Sequence, residues 1–210
     1  MDTVTSKSEL TYAAIVDAGL ALAAAEGIGK LSLGEVAKQL DLSKSGVFSR
    51  VGSLEALQQA VLDEFDRRFA AQVFAPALAL PRGLPRLNAI VDNWIRRVCM
   101  ADATSGCLYT AGSFEYDDVA GPLHDRLQQG VQQWRAGLRK TVLQALEAGH
   151  LRPDTEPEQL IFEIYSLIVG LMHDVRFLHD PKAPERMRRA YARLISTYRS
   201  FDYLDQPGLR

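Results

Sequence analysis

Three dipeptides, two thiols and one serine-rich basic cluster hold the groups in this 210-residue chain that could do chemistry. His124-Asp125, His173-Asp174 and His179-Asp180 each set an imidazole beside a carboxylate. Such a pair ligates metal in phosphohydrolases when further His and Asp residues complete the shell. Adjacent helix residues point about 100° apart, so one pair alone does not build a site. Ordinary polar residues are the expected reading, with a metal-dependent phosphohydrolase as the enzymatic alternative. The thiols, Cys99 and Cys107, make no disulfide framework and fit a reducing compartment. No Lys, Arg or His lies between Ala101 and Leu123 to activate Cys107. Buried packing is therefore expected of it. The cluster is Ser43-Lys44-Ser45-Gly46-Val47-Phe48-Ser49-Arg50. Its cations, hydroxyls and uncovered backbone suit contact with phosphates and base edges.

The elements that must hold these groups read as helices. No run alternates β-branched and aromatic residues between turns. A first helix over about 9–26 has a capping box from Ser6 and Glu9 and a stop at Gly27. Its apolar face is Ile15, Ala18, Leu22 and Ala25. A second, short helix opens on Ser32 with Glu35 three residues on, and turns its Val36, Ala37 and Leu40 inward. After the turn Asp41-Leu42-Ser43, a third helix runs from Lys44 to about Arg50, anchored by Val47 and Val51. Gly52 breaks the chain, and Ser53 with Glu55 opens a fourth helix that reaches to about residue 74. Pro76, Pro81 and Pro85 mark a loop or boundary. Beyond it come a helix through Leu87 and Trp94, an irregular piece over 106–116, and a long helix that stops at Gly149. The last two helices start at Pro157 and near Pro184. The fold class is all-α, with about nine helices.

Two short helices joined by a tight turn make a helix-turn-helix, whose second helix enters the major groove of DNA with its N-terminal residues nearest the bases. Lys44 reaches a phosphate or a guanine edge, Ser45 either, and Gly46 lets the backbone approach closely. Phe48, Ser49 and Arg50 lie one turn on; Phe48 suits core packing as well as DNA. Ser32, Ser43 and Ser53 begin helices, whose free N–H groups attract phosphates.

The stretch LSLGEVAKQLDLSKSGVFSRVGSLEALQQAVL resembles the DNA-binding domain of the TetR family of transcriptional regulators. The resemblance rests on Ser43-Lys44, Gly46, Phe48 and Ser53-Leu54-Glu55-Ala56-Leu57. Phe48 stands where the family usually has a tyrosine, Leu54 where it has a lysine, and Val51 where it has Phe or His. The family's layout implies a three-helix head over 1–52, and a region over 53–210 that joins a fourth helix to a bundle for ligand binding and dimerisation. It also implies a homodimer on a palindromic operator, most simply a repressor, released by an unidentified small molecule. No enzymatic activity and no cofactor is expected.

Composition agrees with this picture. Apolar residues are 47% and charged residues 24%, which excludes wholesale disorder. No apolar run approaches the roughly 18 residues of a membrane span, and the polar start MDTVTSKSEL lacks a signal-peptide pattern, so a cytoplasmic protein is expected. Residues 1–60 hold five Lys/Arg against seven Asp/Glu, so any DNA surface must be a small local patch acting in pairs.

Candidates for a cavity lining are Trp94, Val98, Cys107, Tyr109, Phe114, Trp134, His173 and Phe177. The last two long helices carry more apolar surface than one bundle face needs. Ile161, Ile164, Tyr165, Ile168, Leu171, Met172, Tyr191, Leu194, Ile195 and Tyr198 are the candidates for a subunit interface. A helical adaptor that binds only protein is the remaining alternative.

Overall fold

Serine caps, left-handed stops and prolines divide the chain into helices much as their chemistry requires. The structure, a computed structural model, describes residues 7–100 and 107–204. The helices are α1 (Lys7–Glu26), α2 (Leu33–Gln39), α3 (Lys44–Val51), α4 (Leu54–Phe69), α5 (Leu84–Val98), α6 (Leu108–Glu115), α7 (Pro122–Glu147), α8 (Pro157–Arg176), α9 (Ala183–Tyr198) and the short α10 (Phe201–Leu204). Among the described residues, extended pairing is limited to one antiparallel bridge between Leu151 and Arg199. The chain is all-α, as its periodicity predicts. The proposed partnership of Ser6 with Glu9 lies outside the residues whose side chains are described.

Three local readings need correction. The piece expected to be irregular over 106–116 contains helix α6. Gly112 weakens helix propensity there, but the Leu127 side chain lies where a Cβ on Gly112 would reach 2.9 Å, so packing decides the conformation. The inward face of α1 is also turned. Ile15 and Ala18 are buried, but Val16, Leu20 and Ala23 complete the face, while Leu22 is half-buried and Ala25 exposed. This Ala-rich helix is apolar on most sides, and Val61 and Leu57 of α4 pack on Gly19. Finally, α4 does not continue as an α-helix to residue 74. A π-turn over Ala70–Phe74 and a 3-10 turn over Ala75–Ala79 follow it. Pro76 has no N–H to continue the ladder, and the Asn93 amide donates to the Val73 carbonyl at 2.8 Å.

Two compact units result. The first comprises the described residues through Arg68 and those from Cys107 to Val131. Its core includes Ile15, Leu20, Val36, Val47, Val61 and Phe65, all 0–1% exposed. The second comprises Phe69–Met100 and the described residues from Gln132 onward. Both tryptophans of the chain stand at its centre. Trp134 stacks on Phe69 at 4.2 Å between ring centroids, and Trp94 meets the two edge-on at 5.1 and 5.8 Å.

In the second unit the Leu84 backbone N–H, at the start of α5, donates to His150 Nδ1 at 3.2 Å. Only glycine fits at 83, where φ is +97° and a Cβ would lie 2.3 Å from that nitrogen. Partial burial, with the Tyr203 ring 4.3 Å away, lowers the His150 pKa below the usual histidine value. Protonation would remove the acceptor and set a cation against a helix N-terminus. The stabilising contribution is present above the unfolded value of about 6.5 and is lost as pH falls through the lower folded value. Thermal unfolding should therefore shift down between pH 7.5 and 5.5. His150→Asn keeps an acceptor in place of Nδ1 and should flatten that shift; an undiminished shift would assign it to other groups.

Candidate nucleic-acid interface

Helix α2 begins where the Ser32 hydroxyl accepts from Glu35 N–H at 3.1 Å. It ends on Asp41 in the left-handed conformation, φ +53°, with Leu42 N–H returning to the Ala37 carbonyl at 2.9 Å. An aspartate tolerates this geometry, which makes the turn between the two helices tight. Ser43 caps α3 by accepting from Gly46 N–H at 3.0 Å. Ser53 caps α4 by accepting from Ala56 N–H at 3.0 Å. Ser32, Ser43 and Ser53 are thus N-caps, as their sequence positions predict, each worth about 1 kcal/mol.

The anchors of α3 are Val47 and Val51, at 0% and 9% exposure. Burying each contributes about 1.5–3 kcal/mol and fixes the helix by one face. The opposite face is thereby turned to solvent. Lys44, Ser45, Ser49 and Arg50 are exposed, and Phe48 is 54% exposed. Phe48 is therefore a surface residue rather than a core one. Gly46 has a local reason for lacking a side chain, since a Cβ would stand 3.0 Å from the capping hydroxyl of Ser43. The serine hydroxyls are engaged nearby. Ser43 and Ser45 share a hydrogen bond of 3.1 Å, and Ser49 donates to the Gly46 carbonyl at 2.8 Å.

Not all of the cavity candidates are interior side chains. Trp94, Val98 and Trp134 are buried in the second unit, and Cys107 and Tyr109 in the first. Phe114 and Phe177 are 69% and 74% exposed on the surface. His173 is exposed, lies 5.3 Å from the Phe177 ring, and has Nδ1 3.1 Å from its neighbour Asp174.

The interface candidates need a like correction. Ile161, Ile164, Ile168, Leu171, Met172, Tyr191 and Ile195 are buried within the chain itself, under α5 and α9. Tyr165, Leu194 and Tyr198 are half-buried, and the Tyr191 hydroxyl donates to Asn88 at 2.9 Å. The outward face of α8 is instead Phe162, Ser166, Gly170 and His173, continued by Phe177 just past the helix end, with Phe162 57% exposed.

Sequence reasoning missed a polar cluster in the first unit. The Tyr109 hydroxyl donates to Asp66 at 2.7 Å and accepts from Arg126 at 2.6 Å. Arg126 also reaches Asp66 at 2.7 Å and Asp63 at 2.9 Å. The cluster joins α4, α6 and α7, and burial with Asp66 raises the Tyr109 pKa far above its usual value. Asp63 and Asp66, three apart on one helix, were the available signal. A groove of about 530 Å³ lies nearby between α1 and α4, lined by Tyr12, Asp17, Glu64, Arg67 and others. Its charges satisfy one another: Arg68 pairs with Asp17, and Arg67 and Arg68 hold the Glu64 pKa down at about 2.

His124 Nδ1 lies 3.0 Å from its neighbour Asp125. Among the described residues, no group of three or more His, Cys, Asp or Glu side chains could hold a metal ion. Among them, too, no helix is long and apolar enough to cross a membrane.

A family model described as the tetracyclin repressor-like C-terminal domain matches residues 83–191. No curated protein matches the chain. Among solved structures, a TetR-family transcriptional regulator from Cytophaga hutchinsonii is similar at TM-score 0.80 and 18% identity, covering 94% of this chain and 98% of that one. A TetR transcriptional regulator from Chloroflexus aurantiacus has TM-score 0.78 and 22% identity, covering 90% and 94%. AibR, solved in complex with isovaleryl coenzyme A and operator DNA, has TM-score 0.69 and 18% identity, covering 90% and 99%.

Proposed function

This chain belongs to the TetR family of transcriptional regulators, and from that premise we propose that it is a ligand-responsive repressor acting as a homodimer on a palindromic operator. The observation that carries the reading is α3, anchored by Val47 and Val51, with Lys44, Ser45, Phe48, Ser49 and Arg50 turned outward. Residues 1–52 would form the DNA-binding head, with Ser32, Ser43 and Ser53 presenting helix starts to phosphates. Residues 53–210 would serve ligand binding and dimerisation. The chain would work in the cytoplasm, as a binding protein rather than an enzyme.

Acidic residues outnumber basic ones in the head, so one head binds weakly and two are needed together. The outward face of α8, with exposed phenyl rings at Phe162 and Phe177 and Ser166, Gly170 and His173 between them, would seat a second copy. Successive major grooves on one side of DNA are about 34 Å apart, which the two recognition helices must match. A small molecule would favour a second arrangement with other spacing; couplings of about 1–3 kcal/mol suffice when contacts are few. AibR, bound to both a coenzyme A thioester and its operator, supports this division of labour. The paired tryptophans in the second unit give ligand binding an optical readout.

Binding to the DNA that flanks its own gene tests the reading. Lys44→Ala should weaken operator binding about ten-fold and reduce the slope of log affinity against log salt by about 1 per head. Unchanged affinity with an unchanged slope would remove α3 from the interface.

A further inference from the structure

We propose that Phe48 is a specificity determinant that reads the 5-methyl group of a thymine in each operator half-site. The inference rests on the DNA-binding reading above and adds which base is selected and by what chemistry.

Phe48 is held outward because Val47 and Val51 take the buried face of α3. Its ring is 54% exposed, among Lys44, Ser45, Ser49 and Arg50. A phenyl ring has no hydroxyl to bond a phosphate, so it gains only from apolar contact. In the major groove the thymine methyl is the one apolar group on a base edge. The polar residues around it are partly spent. Ser49 donates its proton to the Gly46 carbonyl at 2.8 Å, and Ser45 shares its hydroxyl with Ser43 at 3.1 Å. Hydrogen-bonded reading from this face therefore falls mainly to Lys44 and Arg50, and Phe48 is the one side chain there suited to apolar reading. Phe48 lies one turn from Lys44, about 6 Å along the helix. The thymine should then sit within about two base pairs of the base that Lys44 meets.

Uracil differs from thymine only by that methyl, which makes the test direct. An operator is selected from a random duplex pool with the full-length protein, and each thymine is replaced singly by uracil. Affinity is read by fluorescence anisotropy. One position per half-site should lose about four-fold, the worth of one buried methyl. The loss should vanish in Phe48→Ala, whose exposed site leaves the fold intact by circular dichroism. Equal affinity for every uracil-substituted operator, or a loss that persists in Phe48→Ala, overturns the inference and leaves DNA binding standing. A loss in Phe48→Ala affinity that no uracil position mirrors assigns the ring to the sugar edge and also overturns it. Failure to select any duplex overturns the DNA-binding reading, and this inference with it.

Discussion

Arg126→Ala should cost the folded chain about 3 kcal/mol in urea unfolding at fixed protein concentration. Arg126 is 11% exposed at its side chain and holds both Asp63 and Asp66. Removing it leaves Asp66, 23% exposed, without its cation, and one oxygen of that carboxylate is already buried without a partner. The Tyr109 hydroxyl would keep its bond to Asp66 but lose the donor that offsets the crowding of negative charge. Tyr109→Phe is the milder change. Arg126 still pairs with Asp66, so the cost should be about 1–2 kcal/mol. Gly130→Ala attacks the same cluster from below, since a Cβ there would come within 2.0 Å of the Tyr109 ring. A loss under about 1 kcal/mol for Arg126→Ala would mean that solvent screens the cluster like a surface pair.

How much of this was legible in the sequence depends on the distance over which each feature is decided. Caps and stops are decided within four residues. Ser32, Ser43, Ser53, Gly27 and Gly149 were accordingly read correctly. The valines of α3 were read correctly because a short helix with two apolar residues four apart has one face to bury. Residues 108–115 were not, because what stabilises a helix containing Gly112 is Leu127, fifteen positions on. The Asp66–Tyr109–Arg126 cluster lies further still from local signals, since its members are 43 and 60 residues from Asp66. Phe48 was open between core and surface; its exposure follows from how α3 packs, which composition does not carry.

Ile168→Glu and Phe162→Glu, one on the buried and one on the exposed side of α8, should fail in different ways. Ile168 is 0% exposed, and so are Ile161 and Ile164 beside it. A carboxylate at 168 would be buried without a partner, and the methylene packing would be lost as well. The expected cost exceeds about 4 kcal/mol, enough to unfold a domain of ordinary stability. Far-UV circular dichroism should show lost helix, and no dimer or monomer of native shape should elute. Phe162 is 57% exposed, so glutamate there meets solvent in the single chain and the helix should persist. If the strip from Phe162 to Phe177 seats a second copy, two introduced carboxylates face each other across the two-fold axis. Light scattering should then report a folded monomer, and operator binding should fall by more than the loss of one head's contacts, because paired binding is gone. The reading from sequence chose Ile168 because periodicity shows that a helix has two apolar faces without showing which one its own chain covers. A folded monomer from Ile168→Glu would restore that choice, and a stable dimer from Phe162→Glu would move the interface off this face of α8.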